Sequence, residues 1–113
     1  MTTVISSQWT AVCKLTDLVC ERGVVALVDG EQVALFRTHT SDVYAIGNHD
    51  PFSGAYVLSR GIVGSRGDAP TVASPMYKQV FDLRTGVSFD DPAVTVPTYQ
   101  VRVRDDRVEV CRT

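Results

Sequence analysis

The fold of this chain is decided by residues 50–86, which begin with the motif D-P-F-S-G (50–54) and end with S-P-M-Y-K-Q-V-F-D-L-R-T-G (74–86). In both motifs a proline follows the first polar residue, and glycines punctuate the segment between the motifs. Such punctuation is typical of loops. We therefore expect residues 50–64 to be loop-like and residues 65–68 to form a turn. Short strands over 71–73 and 79–83 are expected to flank a second loop.

Outside this segment the chain is patterned as short β-strands. Two β-branched runs, 24–28 and 32–37, are separated by Asp29-Gly30, a dipeptide that strongly predicts a two-residue hairpin. Alternation over 99–104 and 107–111 predicts a closing hairpin with one buried face. Further strands are expected over 9–14 and 43–46. These patterns predict an all-β barrel or sandwich of about nine to eleven strands, with the two-loop segment as a tip insertion.

Composition and charge restrict the class of protein. At 113 residues, with 44% hydrophobic and 21% charged residues, the chain is expected to form one domain over residues 1–113. Its net charge of −2 gives no footprint for nucleic acid, and no apolar run is long enough to span a membrane. The first residues do not resemble a signal peptide, and the three cysteines match no metal motif. We therefore expect free thiols and a cytoplasmic protein without nucleic-acid or membrane partners.

The two quoted motifs resemble the tip loops of Rieske iron–sulfur domains, in which each loop supplies one Cys and one His to a [2Fe–2S] cluster. The first family loop has Cys-Pro-His-x-Gly, so Asp50 and Phe52 stand at its ligand positions. The second has Cys, two residues and His, then Gly and later Phe-Asp-Leu-x-Thr-Gly, so Ser74 and Tyr77 stand at its ligand positions. The resemblance implies a Rieske fold in which every cluster ligand has been replaced.

The residues themselves lead to the same expectation. The chain has two histidines and three cysteines, and no cysteine lies between the two loops. Serine and tyrosine are poor ligands for soft metals, and phenylalanine is not a ligand. We therefore expect no metal and no cofactor in this chain, although the shape of the tip should persist.

Among Rieske-like proteins, the chain resembles the small subunits of assimilatory NADH-dependent nitrite reductase, most specifically over residues 45–64 and 74–86. The resemblance implies a large-subunit partner that carries FAD, a [4Fe–4S] cluster and sirohaem and reduces nitrite to ammonia. It also implies that this chain is an accessory, non-catalytic subunit. In agreement, the sequence contains no G-x-G-x-x-G dinucleotide motif and no cysteine set for a cluster.

The replaced tip is interpreted as a docking surface for the large subunit. Phe52, Met76 and Tyr77 would form its apolar part, because aromatic and Met side chains are enriched in interface cores. Lys78, Arg60 and Arg84 would supply charge at its rim. The alternative is that Phe52 and Tyr77 fill the space of the missing cluster. The apolar Phe52 fits this alternative better, whereas both interpretations stay open for Tyr77, whose hydroxyl can hydrogen-bond across the loops.

Two further expectations concern the link between the loops and the competing functions. A hydrogen bond between Asp50 and Ser74 is expected to stand in for the shared iron pair. A Rieske-type ferredoxin that carries electrons is one competing function, and the missing ligands argue against it. A cluster-free binding module is the other, and the sequence offers no cavity signature for it.

Overall fold

The computed structural model describes residues 9–112. It contains nine strands, which are β1 (Thr10–Lys14), β2 (Gly23–Val28), β3 (Glu31–Arg37), β4 (Val43–Gly47), β5 (Ile62–Arg66), β6 (Ala69–Ala73), β7 (Val80–Asp82), β8 (Thr98–Arg104) and β9 (Arg107–Arg112). One antiparallel sheet has the order β1-β9-β8-β4-β3-β2, and a second has the order β5-β6-β7. Short 3-10 turns lie over Leu15–Asp17 and Leu58–Arg60. No helix in the described residues is long and apolar enough to cross a membrane. The all-β prediction is confirmed.

Two tight hairpins confirm the turn predictions. All six residues of β2 pair with β3, and Asp29 and Gly30 between the two strands have φ angles of +51° and +80°. Positive φ at both central residues defines a type I′ turn, whose twist matches that of the flanking strands. The β8–β9 hairpin turns in the same way through Asp105 and Asp106, with φ angles of +52° and +65°. The local sequence therefore fixes the register of both hairpins.

Strand β3 is buried on both faces and separates two hydrophobic cores. Val33 and Leu35 contribute to a core built from the six-stranded sheet. The alternate residues, Ala34 and Phe36, contribute to a second core, which also contains Leu58, Val72, Phe81 and Leu83. Because successive side chains of a strand point to opposite faces, one strand can serve both cores. Strand β3 therefore holds the three-stranded sheet and its loops against the larger sheet.

The structure corrects the prediction for residues 62–66. This segment forms strand β5 and pairs with β6, although residues 50–64 were expected to be loop-like and residues 65–68 to form a turn. Only Gly67 and Asp68 turn the chain. Strand β5 is an edge strand whose side chains are mostly exposed, with Ile62 at 75%. Backbone hydrogen bonds hold such a strand without an alternating apolar pattern, so its sequence gives no strand signal.

Gly86 and Gly67 both have positive φ, +77° and +59°, but only Gly86 is closely packed. A Cβ atom at Gly86 would collide with the backbone carbonyl oxygen of Val96, whereas a Cβ at Gly67 would meet nothing within 4 Å. We expect Gly67→Ala to lower the free energy of unfolding by about 1 kcal/mol through backbone strain alone. Gly86→Ala should lower it by about 2–4 kcal/mol, because overpacking adds to that strain. Urea unfolding measures both values, and equal losses would contradict the role of the Val96 contact.

Candidate functional site

The first loop follows β4 and closes on itself through Asp50. The Asp50 carboxylate oxygen Oδ1 accepts a hydrogen bond from the Phe52 amide at 2.9 Å. The backbone carbonyl of Asp50 accepts a hydrogen bond from the Gly54 amide at 2.7 Å, and the Asp50 amide donates to the Ala55 carbonyl at 2.8 Å. Gly54 has a φ angle of +78°, which glycine adopts without steric cost. The D-P-F-S-G motif therefore folds as a compact loop that depends on its first and last residues.

The second loop follows β6 and uses Ser74 in the same way. The Ser74 hydroxyl accepts a hydrogen bond from the Met76 amide at 3.2 Å. The Ser74 carbonyl accepts a bond from the Lys78 amide at 3.0 Å, and the Ser74 amide donates to the Gln79 carbonyl at 2.9 Å. Asp50 and Ser74 thus occupy equivalent positions, each capping its own loop with a side-chain oxygen.

A hydrogen bond between Asp50 and Ser74 joins the two loops, as the sequence predicted. The Ser74 hydroxyl donates to Oδ2 of Asp50 at 2.5 Å. The exposed fractions of the two residues are 0% and 1%. Burial alone would raise the pKa of the Asp50 carboxyl, but hydrogen bonds from Ser74, Phe52 and Ser53 outweigh this effect and hold the pKa below its usual value. The ionised carboxylate is therefore the form that links the loops.

The two remaining ligand positions have separated. The Phe52 ring is partly buried and packs against Phe81 of the second core, with ring centroids 5.9 Å apart. Tyr77 lies outside, with 60% of its surface exposed, and Met76 beside it is 50% exposed. Within residues 9–112 the Tyr77 hydroxyl makes no hydrogen bond across the loops. Phe52 therefore contributes to the core below the tip, and Tyr77 contributes to its surface.

The charged residues assigned to the docking surface lie in different places. Lys78 is exposed and directly follows Tyr77 in the second loop. Arg60 is exposed at the end of the Leu58–Arg60 turn and lines a groove together with Gly23 and Ile62. In the described part of the chain Arg60 forms no ion pair, whereas Arg84 pairs with Asp82 at 3.1 Å and is therefore already neutralised within the domain.

The residues at the four ligand positions do not fit a Rieske cluster. Such a centre needs two thiolates and two imidazoles, whereas the positions hold a carboxylate, a phenyl ring, a hydroxyl and a phenol. Asp50 and Ser74 bond to each other, and the ring of Phe52 packs on Phe81. No group of three or more His, Cys, Asp or Glu residues within 9–112 is arranged to hold a metal ion.

Asn48 is a structural residue of the site that the sequence analysis missed. It is 2% exposed, and its amide nitrogen donates to the Gln32 side chain at 3.0 Å and to the Tyr56 carbonyl at 3.2 Å. Its side-chain oxygen accepts a bond from the Ser59 amide at 2.7 Å. Asn48 thereby ties the first loop to β3 and to the following turn. The one available signal was a polar amide directly after the apolar strand Val43–Gly47.

Asp50→Asn should destabilise the fold by about 1.5–3 kcal/mol at pH 7, because hydrogen bonds to a charged group are lost from a buried position. The native pKa of Asp50 is lowered, so its contribution is complete above the unfolded-state pKa of about 3.9 and disappears as the pH falls through the native value. The difference in unfolding free energy between wild type and variant should therefore shrink below about pH 4. Urea unfolding at pH 3 to 8 measures it.

The exposed Asp68 provides the matched control for this substitution. Asp68→Asn should change the free energy of unfolding by no more than about 0.5 kcal/mol. A loss at Asp50→Asn that stays constant down to pH 3 would show that the carboxylate does not carry the link.

Comparison with known proteins agrees with this geometry. The family model of the Rieske-like [2Fe-2S] domain matches residues 8–111. The NADH nitrite reductase small subunit of Escherichia coli (strain K12) is 45% identical over 105 residues, which cover 92% of this chain and 97% of that protein. A crystal structure attributed to the NADH-dependent nitrite reductase small subunit of Mycobacterium tuberculosis superposes with a TM-score of 0.91 at 50% identity. That superposition covers 95% of this chain and 96% of the other.

Similar domains also occur in a nitrite reductase large subunit and in a dioxygenase ferredoxin. The nitrite reductase [NAD(P)H] large subunit of Klebsiella oxytoca is 40% identical over 105 residues, which are 93% of this chain but 11% of that protein. The ferredoxin of carbazole 1,9a-dioxygenase from Nocardioides aromaticivorans IC177 has a TM-score of 0.81 at 29% identity, covering 95% of this chain and 100% of that one. The chain belongs to the Rieske-like [2Fe-2S] domain family, in the group of nitrite reductase (NADH) small subunits.

Proposed function

We propose that this chain is the small subunit of an NADH-dependent nitrite reductase, and that it supports the reduction of nitrite to ammonia by docking to the large subunit. The observation that carries the proposal is the 45% identity to a nitrite reductase small subunit along nearly the full length of both chains, 92% and 97%. The likeness therefore extends beyond a shared fold, which by itself would not indicate a function.

The large-subunit relative supports direct association. In the Klebsiella oxytoca protein, a region 40% identical to this chain is part of the large-subunit polypeptide itself. Two domains in one polypeptide meet at a high effective concentration. A separate small subunit must reach the same partner through its own surface, so this chain needs a docking surface.

The role of the chain is accessory and non-catalytic. Its replaced ligand positions provide neither thiolate nor imidazole for an electron-carrying cluster. We assign the redox groups, namely FAD, a [4Fe–4S] cluster and sirohaem, to the large subunit. A cytoplasmic location is part of the proposal, and it is supported by Cys13, Cys20 and Cys111, which are all free thiols.

The tip is the docking surface of this proposal. Met76 and Tyr77 expose 50% and 60% of their surfaces, next to the exposed Lys78. Large exposed side chains of these types favour an interface core. The Asp50–Ser74 bond supports their loop from below, so little loop ordering should be needed on binding. Phe52 supports the tip from the core side, and Arg60 contributes charge from a separate groove, which it lines together with Gly23 and Ile62.

Electron transfer by a Rieske-type ferredoxin is the competing function, and one observation favours it. The dioxygenase ferredoxin shares the fold with a TM-score of 0.81. An electron carrier needs a redox group, and the residues at the ligand positions of this chain do not fit the Rieske cluster. The structural likeness therefore concerns the scaffold rather than electron transfer.

Isolation of the tagged chain from nitrate-grown cells of its source tests the proposed function. A large partner should co-purify and bring the optical absorption of flavin and sirohaem, while the chain purified alone should be colourless. Recovery of the chain without any partner would remove the main support for the subunit assignment. An iron–sulfur absorption spectrum from the isolated chain would instead favour the electron carrier.

Substitution of the exposed tip residues tests where docking occurs. Met76→Asp combined with Tyr77→Asp places two carboxylates in the proposed interface, which should weaken binding to the large subunit at least about tenfold. The fold should be retained because both side chains are largely exposed. Val103→Asp, at a position 45% exposed on β8, is the matched control and should bind normally. Surface plasmon resonance with the purified large subunit measures the affinities, and unchanged binding of the double variant would exclude the tip.

A further inference from the structure

Three loops of this chain share one backbone design. In each loop, a side-chain oxygen of the first residue accepts a bond from the amide two residues later. The carbonyl of the first residue accepts a bond from the fifth residue, and its amide donates to the sixth. The three loops cover residues 50–55, 74–79 and 82–87, and their first residues are Asp50, Ser74 and Asp82.

The fifth residue of this design always has a left-handed backbone. Its φ angle is +78° at Gly54 and +77° at Gly86, and it is +63° at Lys78. Glycine adopts such angles freely, whereas a side chain with a Cβ atom meets the neighbouring backbone. Two of three equivalent loops thus use the residue that the geometry favours, and the second loop carries a lysine instead.

Within residues 9–112, no ion pair of the Lys78 side chain compensates for its left-handed backbone. Asp and Asn tolerate left-handed angles because their short polar side chains can bond to the nearby backbone, and three of the other non-glycine residues with positive φ are Asp29, Asp105 and Asp106. The ammonium group of Lys78 forms no ion pair within residues 9–112. Its side chain is exposed. The fold therefore gives no reason to keep a lysine at this position.

The residues around Lys78 indicate the kind of partner group that its charge suits. Its neighbours Met76 and Tyr77 are exposed apolar and aromatic side chains on the same loop. No acidic residue occurs between Ser74 and Gln79, and the Asp50 carboxylate is fully buried and already bonded to Ser74. The exposed carboxylate of Asp90 lies at the end of the loop, where it accepts a hydrogen bond from the Val80 amide at 2.7 Å and forms no ion pair with Lys78. The loop therefore presents a positive charge without an ion-pair partner in residues 9–112, beside exposed apolar side chains. Such a surface is complementary to an acidic side chain at the edge of a partner's apolar patch.

We propose that Lys78 is a recognition residue that binds a carboxylate of the nitrite reductase large subunit, and that it occupies a glycine position at the expense of the stability of the isolated chain. This inference rests on the proposed function, since it names the contact that the docked tip makes. A strained backbone is expected at a binding loop where affinity for a partner is retained at the expense of stability.

Two substitutions of Lys78 separate recognition from stability. Lys78→Gly relieves the backbone and removes the charge, so the melting temperature should rise by about 2–5 °C while the affinity for the large subunit falls about five- to twentyfold. Lys78→Gln removes the charge and keeps the strained backbone, so its affinity should fall equally with little change in melting temperature. Differential scanning calorimetry of the small subunit and surface plasmon resonance with the full-length large subunit provide the two readouts.

Asp106→Gly is the matched control, because Asp106 has a similar φ angle of +65° in the β8–β9 turn. It should leave the affinity unchanged whatever its effect on melting temperature. The difference in affinity between wild type and Lys78→Gln should also shrink to less than about twofold in 1 M salt, which screens the charge pair.

The outcomes distinguish this inference from the proposed function. If the wild-type chain does not bind the large subunit, the proposed function fails and the inference fails with it. If the wild-type chain binds and both Lys78 variants bind as tightly as the wild type, the subunit assignment stands and the role of Lys78 is excluded.

Discussion

Burial of strand β3 on both faces is the constraint on which the rest of the structure depends. Val33 and Leu35 are fully buried on one side, and Ala34 and Phe36 are fully buried on the other. The four central positions of the strand, residues 33–36, are all apolar, and a slip of one residue would exchange the two cores. The tight Asp29-Gly30 turn prevents that slip because it fixes the pairing of β3 with β2. The three-stranded sheet, and with it the pair of loops, is placed by the side chains on the second face.

The Asp50–Ser74 hydrogen bond shows how a metal-binding scaffold persists without metal-binding residues. A cluster would join two loops through iron, and here a buried carboxylate and a hydroxyl join them at 2.5 Å. The carboxylate also caps its own loop through the Phe52 amide, and the hydroxyl caps the other loop through the Met76 amide. Each side chain therefore satisfies both local and cross-loop partners. A buried charge is tolerated only where such bonds replace its hydration.

Under the proposed function, the same scaffold serves recognition instead of electron transfer. Phe52 turns towards the core, whereas Met76, Tyr77 and Lys78 remain on the surface of a loop supported from below. A rigid loop loses little conformational entropy on binding, which favours its use as a docking element. Similarity to small subunits over the whole chain, and to a region of a large-subunit polypeptide, agrees with a protein that works through its partner.

The sequence by itself determined the strands with an alternating or β-branched pattern and the two hairpin turns, because period-two patterning and turn preferences act over a few residues. The replacement of all four cluster ligands followed from the resemblance of the two loop motifs to those of Rieske domains. Tertiary structure alone decided strand β5, whose exposed edge needs no pattern, and the burial of Asn48. It also separated Phe52 from Tyr77 and gave Lys78 its left-handed backbone. The Asp50–Ser74 bond joins residues 24 positions apart. The resemblance suggested it, but its length and burial follow only from the packing of both loops on the core beneath them.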